Sequence, residues 1–192
     1  ISEIFGRIDP AFENFTQTYG TDFSGLALTD WYMDSEGRRV QIFENMVLSI
    51  DLQQGATAIH LLPISEAVNI KVEPLRPLSM AQGMYFFPVQ DQLGYDIPIE
   101  IWDYLQENGG ISLVGQPITH FSQLTEVFFH QCFVNLCLTY DPSMVAGARV
   151  KPEPLGYAFK VLYYHPTESS QLAEGILPVS TPETAIEATM QP

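Results

Sequence analysis

Basic residues are scarce in this 192-residue chain, in which 8 Lys and Arg stand against 23 Asp and Glu, for a formal net charge of −15. A field of that sign repels phosphate backbones and anionic lipids, so we expect no nucleic-acid partner and no electrostatic docking on a membrane. Runs of about 18 apolar residues are missing as well, which predicts that no segment spans a membrane. The acidic balance is typical of a solvated surface, and it also suits cations or a basic partner.

Cysteine is nearly absent, since Cys132 and Cys137 are the only two in the chain. They lie in a segment that alternates like one strand, which would put them about 16 Å apart and on opposite faces. A disulfide needs Cα atoms within about 7 Å, so a bridge would require a sharp bulge or turn between them. We therefore expect two free, buried cysteines.

Sequence motifs of the common catalytic and metal sites are also missing. The histidines are scattered, without the His-x₃-His or His-Glu-x-x-His spacing of a metal site: His60, His120, His130 and His165. No Gly-x-Ser-x-Gly elbow and no phosphate-binding glycine loop occurs. We expect no enzymatic activity, no cofactor and no metal, although a small hydrolase with Asp or Glu residues assembled by the fold stays an alternative.

An internal repeat is the clearest positive feature. Residues 12–51 align without gaps on residues 102–141, with nine identities over forty positions that include Gly20 with Gly110 and Gln41 with Gln131. Beyond this stretch, Lys71–Leu75 aligns on Lys151–Leu155 at an offset of 80, which predicts ten extra residues in the first copy. Such self-similarity indicates one structural unit used twice.

The predicted fold is α+β and mainly β, with two pseudo-symmetric helix–turn–strand units packed together. We place unit 1 at residues 1–80, unit 2 at 81–166 and an acidic, ordered tail at 167–192. Each unit begins with a short helix, marked by Asp9-Pro10 and Gly20 in the first copy and by Pro98 and Gly109-Gly110 in the second. The pattern predicts long strands at 40–50 and 128–140, and shorter strands at 57–62, 69–73, 84–87, 111–114, 147–151 and 157–164.

The tail has no Lys or Arg and is rich in Glu, Ser, Thr, Pro and Ala. We expect its apolar residues Ile176, Leu177 and Val179 to dock, either on the chain's own domain or on a neighbouring chain. The chain opens at Ile1, and we expect a processed mature chain or a fragment.

A family resemblance rests on segments from both copies. Residues 101–119 read as an aromatic helix, Gly-Gly and then Gly-x-Pro-Ile-Thr, and residues 41–44 read Gln-Ile-Phe-Glu. This combination resembles secreted bacterial repeats of the LGFP type, over about forty residues per copy. The first copy departs from it at Leu26-Ala-Leu-Thr29, which lacks the Pro, and the second has Val134 in place of the Glu. The resemblance implies an extracellular, non-catalytic module that contacts cell-wall or surface polysaccharide.

Aromatic residues are the best ligand candidates. Trp31, Tyr32, Trp102 and Tyr104 could form a platform for sugar rings, with core packing as the alternative role. The functional prediction is a secreted or cell-surface module that binds polysaccharide or a protein of the cell envelope. A self-assembling subunit of an extracellular filament or surface layer, associated through its tail and free strand edges, is a second alternative.

Overall fold

The computed structural model describes residues 5–52, 58–79 and 81–165 and combines helices with three antiparallel sheets, which confirms the α+β class. Ile176, Leu177 and Val179 lie outside the described residues.

The first half of the chain builds a four-stranded sheet with short helices before and after it. The strand order is β1-β2-β3-β4. Its elements are α1 (Pro10–Tyr19), α2 (Thr21–Ser24), β1 (Tyr32–Met33), β2 (Arg38–Ile42), β3 (Val47–Asp51), β4 (Ile59–Leu61) and α3 (Ile64–Ala67).

A three-stranded sheet of order β5-β7-β6 follows, built from β5 (Arg76–Pro77), β6 (Met84–Gln90) and β7 (Leu93–Pro98). The second half then forms another four-stranded sheet, of order β11-β10-β9-β8. Its elements are α4 (Ile99–Glu107), α5 (Gly110–Val114), β8 (Ser122–Gln123), β9 (Phe129–Cys132), β10 (Cys137–Tyr140), β11 (Val150–Pro152) and α6 (Gly156–Tyr163).

Helix α1 forms as its end signals predict. The carboxylate of Asp9 accepts a hydrogen bond from the amide of Ala11 at 2.8 Å, and Pro10 occupies the first helical position. Gly20 ends the helix with φ of 77°, a conformation that a residue with a Cβ rarely adopts. Phe12 and Phe15 face the core.

The two long strands predicted at 40–50 and 128–140 are wrong, because each is a hairpin. The chain reverses at residues 43–46 and again at 133–136, where Phe43 donates to the carbonyl of Met46 and Phe133 to that of Leu136, both at 2.8 Å. The alternation of apolar and polar residues does not reveal these turns, because the apolar residues of the turns are buried like those of the strands. Phe43, Met46, Phe133 and Leu136 all have no exposed surface.

The hairpin also corrects the prediction of free cysteines. Cys132 and Cys137 are directly opposite each other on β9 and β10, with Cα atoms 4.0 Å apart, and they form a disulfide. The extended-strand estimate of about 16 Å failed because the chain turns between them. Ile42 and Val47 face each other in the same way on β2 and β3.

Three of the shorter predicted strands are wrong as well. Residues 111–114 lie in helix α5 and residues 157–163 in helix α6, while residues 69–73 form no strand. In α6 the rings of Phe159 and Tyr163 lie on one face with centroids 4.7 Å apart, as residues four apart do in a helix. A run of Phe, Val, Leu and Tyr reads as a strand on composition alone, and packing decides otherwise.

The offset of 80 after Asp51 is also wrong. Leu48 pairs with Leu61 in the first sheet, and Leu138 pairs with Pro152 in the second. The amides of Leu62 and Glu153 then donate to the carbonyls of Val47 and Cys137, at 2.9 and 2.8 Å. In strand pairing, residues 59–61 therefore occupy the place in the first sheet that residues 150–152 occupy in the second, 91 positions later instead of 80.

One central apolar cluster draws residues from both halves, including Phe12, Phe43 and Leu48 from the first and Ile101, Phe133 and Leu138 from the second. Each of the helices α3 and α6 makes a backbone hydrogen bond to the hairpin of the other half. Gly156 of α6 donates to the carbonyl of Glu44 at 2.8 Å, and Ser65 of α3 donates to that of Val134 at 3.3 Å. Phe159 of α6 accordingly packs in a side cluster built by the first half, against residues that include Val40 and Ile42.

Candidate functional site

An open groove of about 550 Å³ lies where α6 meets the first half. Its walls come from β1 and the turn that follows it, from Leu62-Pro63 before α3, and from α6 together with His165. This volume falls within the range of sites that hold small organic ligands, about 300–1,000 Å³. The packing of α6 against the first half supplies one wall of the groove, so the position of the groove depends on the tertiary fold.

The apolar wall of the groove is aromatic. Phe159 and Tyr163 both line this wall. Phe159 is buried beneath it, whereas Tyr163 is 50% exposed and faces solvent. Tyr163 is oriented by its hydroxyl, which donates to the carbonyl of Ala67 at 2.9 Å. Tyr32 lines the groove from β1 and meets the ring of Tyr164 edge-on, with centroids 5.1 Å apart.

The environment of Tyr32 is apolar and negative. Burial, followed by the nearby charge of Asp34, raises the pKa of Tyr32 to about 12. Tyr32 therefore keeps its hydroxyl proton at neutral pH and can donate or accept a hydrogen bond.

The polar rim of the groove is the turn from Asp34 to Arg38. One carboxylate oxygen of Asp34 accepts from the amides of Glu36 and Arg38, at 3.0 and 2.9 Å, and the other accepts from Arg38 Nε at 2.7 Å. Arg38 Nη1 lies 3.0 Å from a carboxylate oxygen of Glu36. These bonds, together with Gly37 at φ of 75°, fix the turn that the sequence predicted at Asp34–Gly37.

Of the four aromatic residues predicted from sequence, Tyr32 alone lines this groove. Trp31 is 41% exposed and carries the guanidinium of Arg39 4.3 Å from its ring centroid, while Arg39 in turn pairs with the buried Asp9. Trp102 stacks on Tyr85 with centroids 3.9 Å apart. Tyr104 packs beside Phe23 at 6.3 Å, and burial raises its pKa.

Sequence reasoning missed Phe159, Tyr163 and His165. Phe159 and Tyr163 fell in a segment predicted as a strand, and nothing in their spacing indicates that they pack against β1. The one available signal was the spacing of four between two aromatic residues, which fits a helix.

The Gln-Ile-Phe-Glu segment has a structural role at each of its three distinctive positions. The side chain of Gln41 is fully buried, where it accepts from the amide of Asp9 and donates to the carbonyls of Arg7 and Thr29. Phe43 lies in the central core. Glu44 accepts from the amide of Leu26 at 2.9 Å and from the hydroxyl of Tyr157 at 2.7 Å, which ties the first hairpin to α6. The motif therefore indicates a structural role more than a ligand-binding role.

A second, smaller cavity of about 240 Å³ lies between α4 and the loop before β11. Glu100, Asp103 and Glu107 line one side, and Arg149 on the other side binds Glu100 at 2.9 Å. Across the described ranges, no three His, Cys, Asp or Glu residues are placed to hold a metal ion. His130 instead pairs with Glu153 at 3.1 Å, and His120 contacts the carbonyl of Pro74 at 2.8 Å.

Compared with known proteins, the chain matches no family model, no curated protein and no solved structure. Within the part of the chain that is described, no helix is both long enough and apolar enough to cross a lipid bilayer.

Proposed function

We propose that this protein is a non-catalytic binding module of the extracellular space or cell surface, and that the groove beside Tyr32 and Tyr163 takes a carbohydrate chain. The observation that carries the proposal is an open groove in which aromatic rings lie beside a rigid turn of carboxylates and a guanidinium.

The chemistry of the groove fits a sugar. Aromatic rings offer flat apolar surfaces for the C–H faces of a pyranose, while carboxylates and guanidinium groups exchange hydrogen bonds with its hydroxyls. Tyr163 supplies an exposed ring, and Tyr32 adds a protonated hydroxyl. Binding of a carbohydrate along the groove would also require little change in the conformation of the rim turn, because the turn is already held by its own hydrogen bonds.

A binding role agrees with how the carboxylates of the rim are used. Asp34 and Glu36 share Arg38 as a partner, and Asp34 also holds two backbone amides of the turn. A rigid, paired arrangement of this kind suits recognition of hydroxyl groups more than proton transfer, which needs a carboxyl free to gain and lose a proton.

The architecture that supports the groove is, in this proposal, a duplicated unit with pseudo-two-fold symmetry, corresponding to units 1–80 and 81–166. Support comes from side-chain hydrogen bonds that occur twice, at positions 90 apart. Gln41 and Gln131 donate to the carbonyls of Thr29 and Thr119, at 2.8 and 3.1 Å. Asn45 and Asn135 likewise donate to the carbonyls of Phe23 and Leu113, at 3.0 and 2.8 Å.

The proposed extracellular location draws support from the disulfide between Cys132 and Cys137. Disulfides persist in oxidising compartments and are rare in reducing ones. The resemblance to secreted repeats of the LGFP type points to the same location.

The direct test is calorimetric titration of the full chain with short oligosaccharides of cell-wall and surface polysaccharides. Tyr163→Ala removes the exposed wall of the groove, and we expect it to weaken binding about two- to tenfold, because one stacked ring contributes about 0.5–1.5 kcal/mol. Leu162→Ala is the control, since Leu162 is 46% exposed on the same helix and lies outside the groove. Equal losses in both variants, or no binding by the parent chain, would contradict the proposal.

A further inference from the structure

We infer that the groove discriminates by charge: it takes uncharged or amine-bearing sugars and excludes acidic ones. This inference rests on the proposed function and names the class of carbohydrate that the same site accepts.

The arrangement of charged groups in the groove disfavours the binding of an anion. Asp34 and Glu36 carry negative charge, and the single guanidinium of Arg38 lies between them, with Nε 2.7 Å from one carboxylate and Nη1 3.0 Å from the other. An acidic sugar would have to compete with both carboxylates for the same guanidinium. It would also approach two negative charges while gaining contact with one positive charge.

The charge of the whole chain acts in the same direction. A net charge of −15 lowers the local concentration of anions near an open groove and raises that of cations. This long-range contribution is screened over about 8–10 Å at ordinary salt concentrations, so its effect on binding weakens as salt is added.

An amine on the sugar would find two attractive features together. Aromatic faces attract cations, and the exposed ring of Tyr163 is available for that contact. The carboxylate of Glu36 stands at the rim with 68% of its side chain exposed, within the same lining as Tyr163. The charge of Asp34, which after burial also raises the pKa of Tyr32, adds to the attraction for an amine.

The test compares three probes of equal length, the oligomers of glucosamine, N-acetylglucosamine and galacturonic acid, each titrated into the full chain at low and at high salt. We expect the glucosamine oligomer to bind most tightly and the galacturonic acid oligomer to bind least, with the difference shrinking at high salt. Glu36→Gln should reduce the preference for glucosamine over N-acetylglucosamine about two- to fivefold, the scale of one exposed ion pair. Glu107→Gln, which makes the same charge change at the second cavity, should leave that preference unaltered.

The outcomes separate this inference from the function on which it rests. Tight binding of the galacturonic acid oligomer, or a preference for glucosamine that Glu36→Gln and Glu107→Gln reduce equally, would overturn the charge selectivity alone. If none of the three oligomers binds at either salt concentration, the proposed carbohydrate function fails with it.

Discussion

The disulfide between Cys132 and Cys137 can be replaced by the residue pair that occupies the corresponding positions of the first hairpin. Ile42 and Val47 occupy the opposed positions of the first hairpin, where they pack without a covalent link. The double variant Cys132→Ile, Cys137→Val therefore keeps an apolar, β-branched pair across the second hairpin and removes the bond alone.

The expected loss of stability is modest because the closed loop is short. The two cysteines are five residues apart, and the chain-entropy model gives about 2 kcal/mol for a closure of this length. Domains of this size have unfolding free energies of about 5–15 kcal/mol, so the variant should fold. Reduction of the parent chain should cost a similar amount.

Urea unfolding measures this change in three samples: the oxidised parent chain, the parent chain with a reducing agent, and the double variant. Thiol titration of the unfolded, oxidised parent chain should find no reactive thiol. Ile42→Val is the control, since its unfolding should shift equally with and without the reducing agent. Two free thiols in the unfolded, oxidised chain, or a reducing agent without effect on the urea midpoint, would refute the assignment of the disulfide.

Three further predictions test the fold around the groove. Gly156→Ala should destabilise the chain by about 2 kcal/mol or more, because the added Cβ would collide with the backbone carbonyl of Phe43. An unchanged melting temperature would contradict the close packing of α6 on the first hairpin. Gln41→Ala should cost more in urea unfolding than Gln131→Ala by about 1 kcal/mol, because the amide oxygen of Gln131 has no hydrogen-bond partner among the described residues; equal costs would contradict this difference. The folded state raises the pKa of Tyr32 from about 10 to about 12, and this shift contributes to the free energy of unfolding. The contribution should be complete below pH 10 and should be lost as pH rises through about 12. A Tyr32→Phe variant with the same alkaline unfolding curve as the parent would contradict this.

The parts of the fold that the sequence predicts correctly depend on neighbouring residues. Helix α1 is bounded by Asp9, Pro10 and Gly20, whose effects act within one turn. The turn from Asp34 is of the same kind, because its carboxylate bonds to amides two and four residues ahead. Local chemistry of this sort needs no knowledge of the rest of the chain.

The hairpins were missed because burial and turning coincide in them. Turns are usually recognised by their polar residues. Phe43 and Met46 are both fully buried, so the alternation of apolar and polar residues continues through the turn. The same error separated Cys132 from Cys137. The identity of Asn45 and Asn135 was the available signal, since each amide bonds to a carbonyl of the preceding helical segment and holds the turn against it.

The groove could not be predicted because it joins distant parts of the chain. Tyr32 was identified as a candidate, but the wall opposite it comes from α6, whose position follows from burial of Phe159 in the core of the first half. Only the packed structure shows that the second half closes over the first. The same holds for Glu44, whose hydroxyl partner Tyr157 lies on that helix.

The proposal on which the rest depends is that the groove beside Tyr32 and Tyr163 binds a carbohydrate chain. The most direct measurement is the change in amide and aromatic resonances of the full chain during titration with the oligomer of N-acetylglucosamine. We expect the largest changes at Tyr32, Met33 and Tyr163, with the residues around Glu107 unaffected. Changes confined to the surface of α4, or none at saturating oligomer, would contradict it.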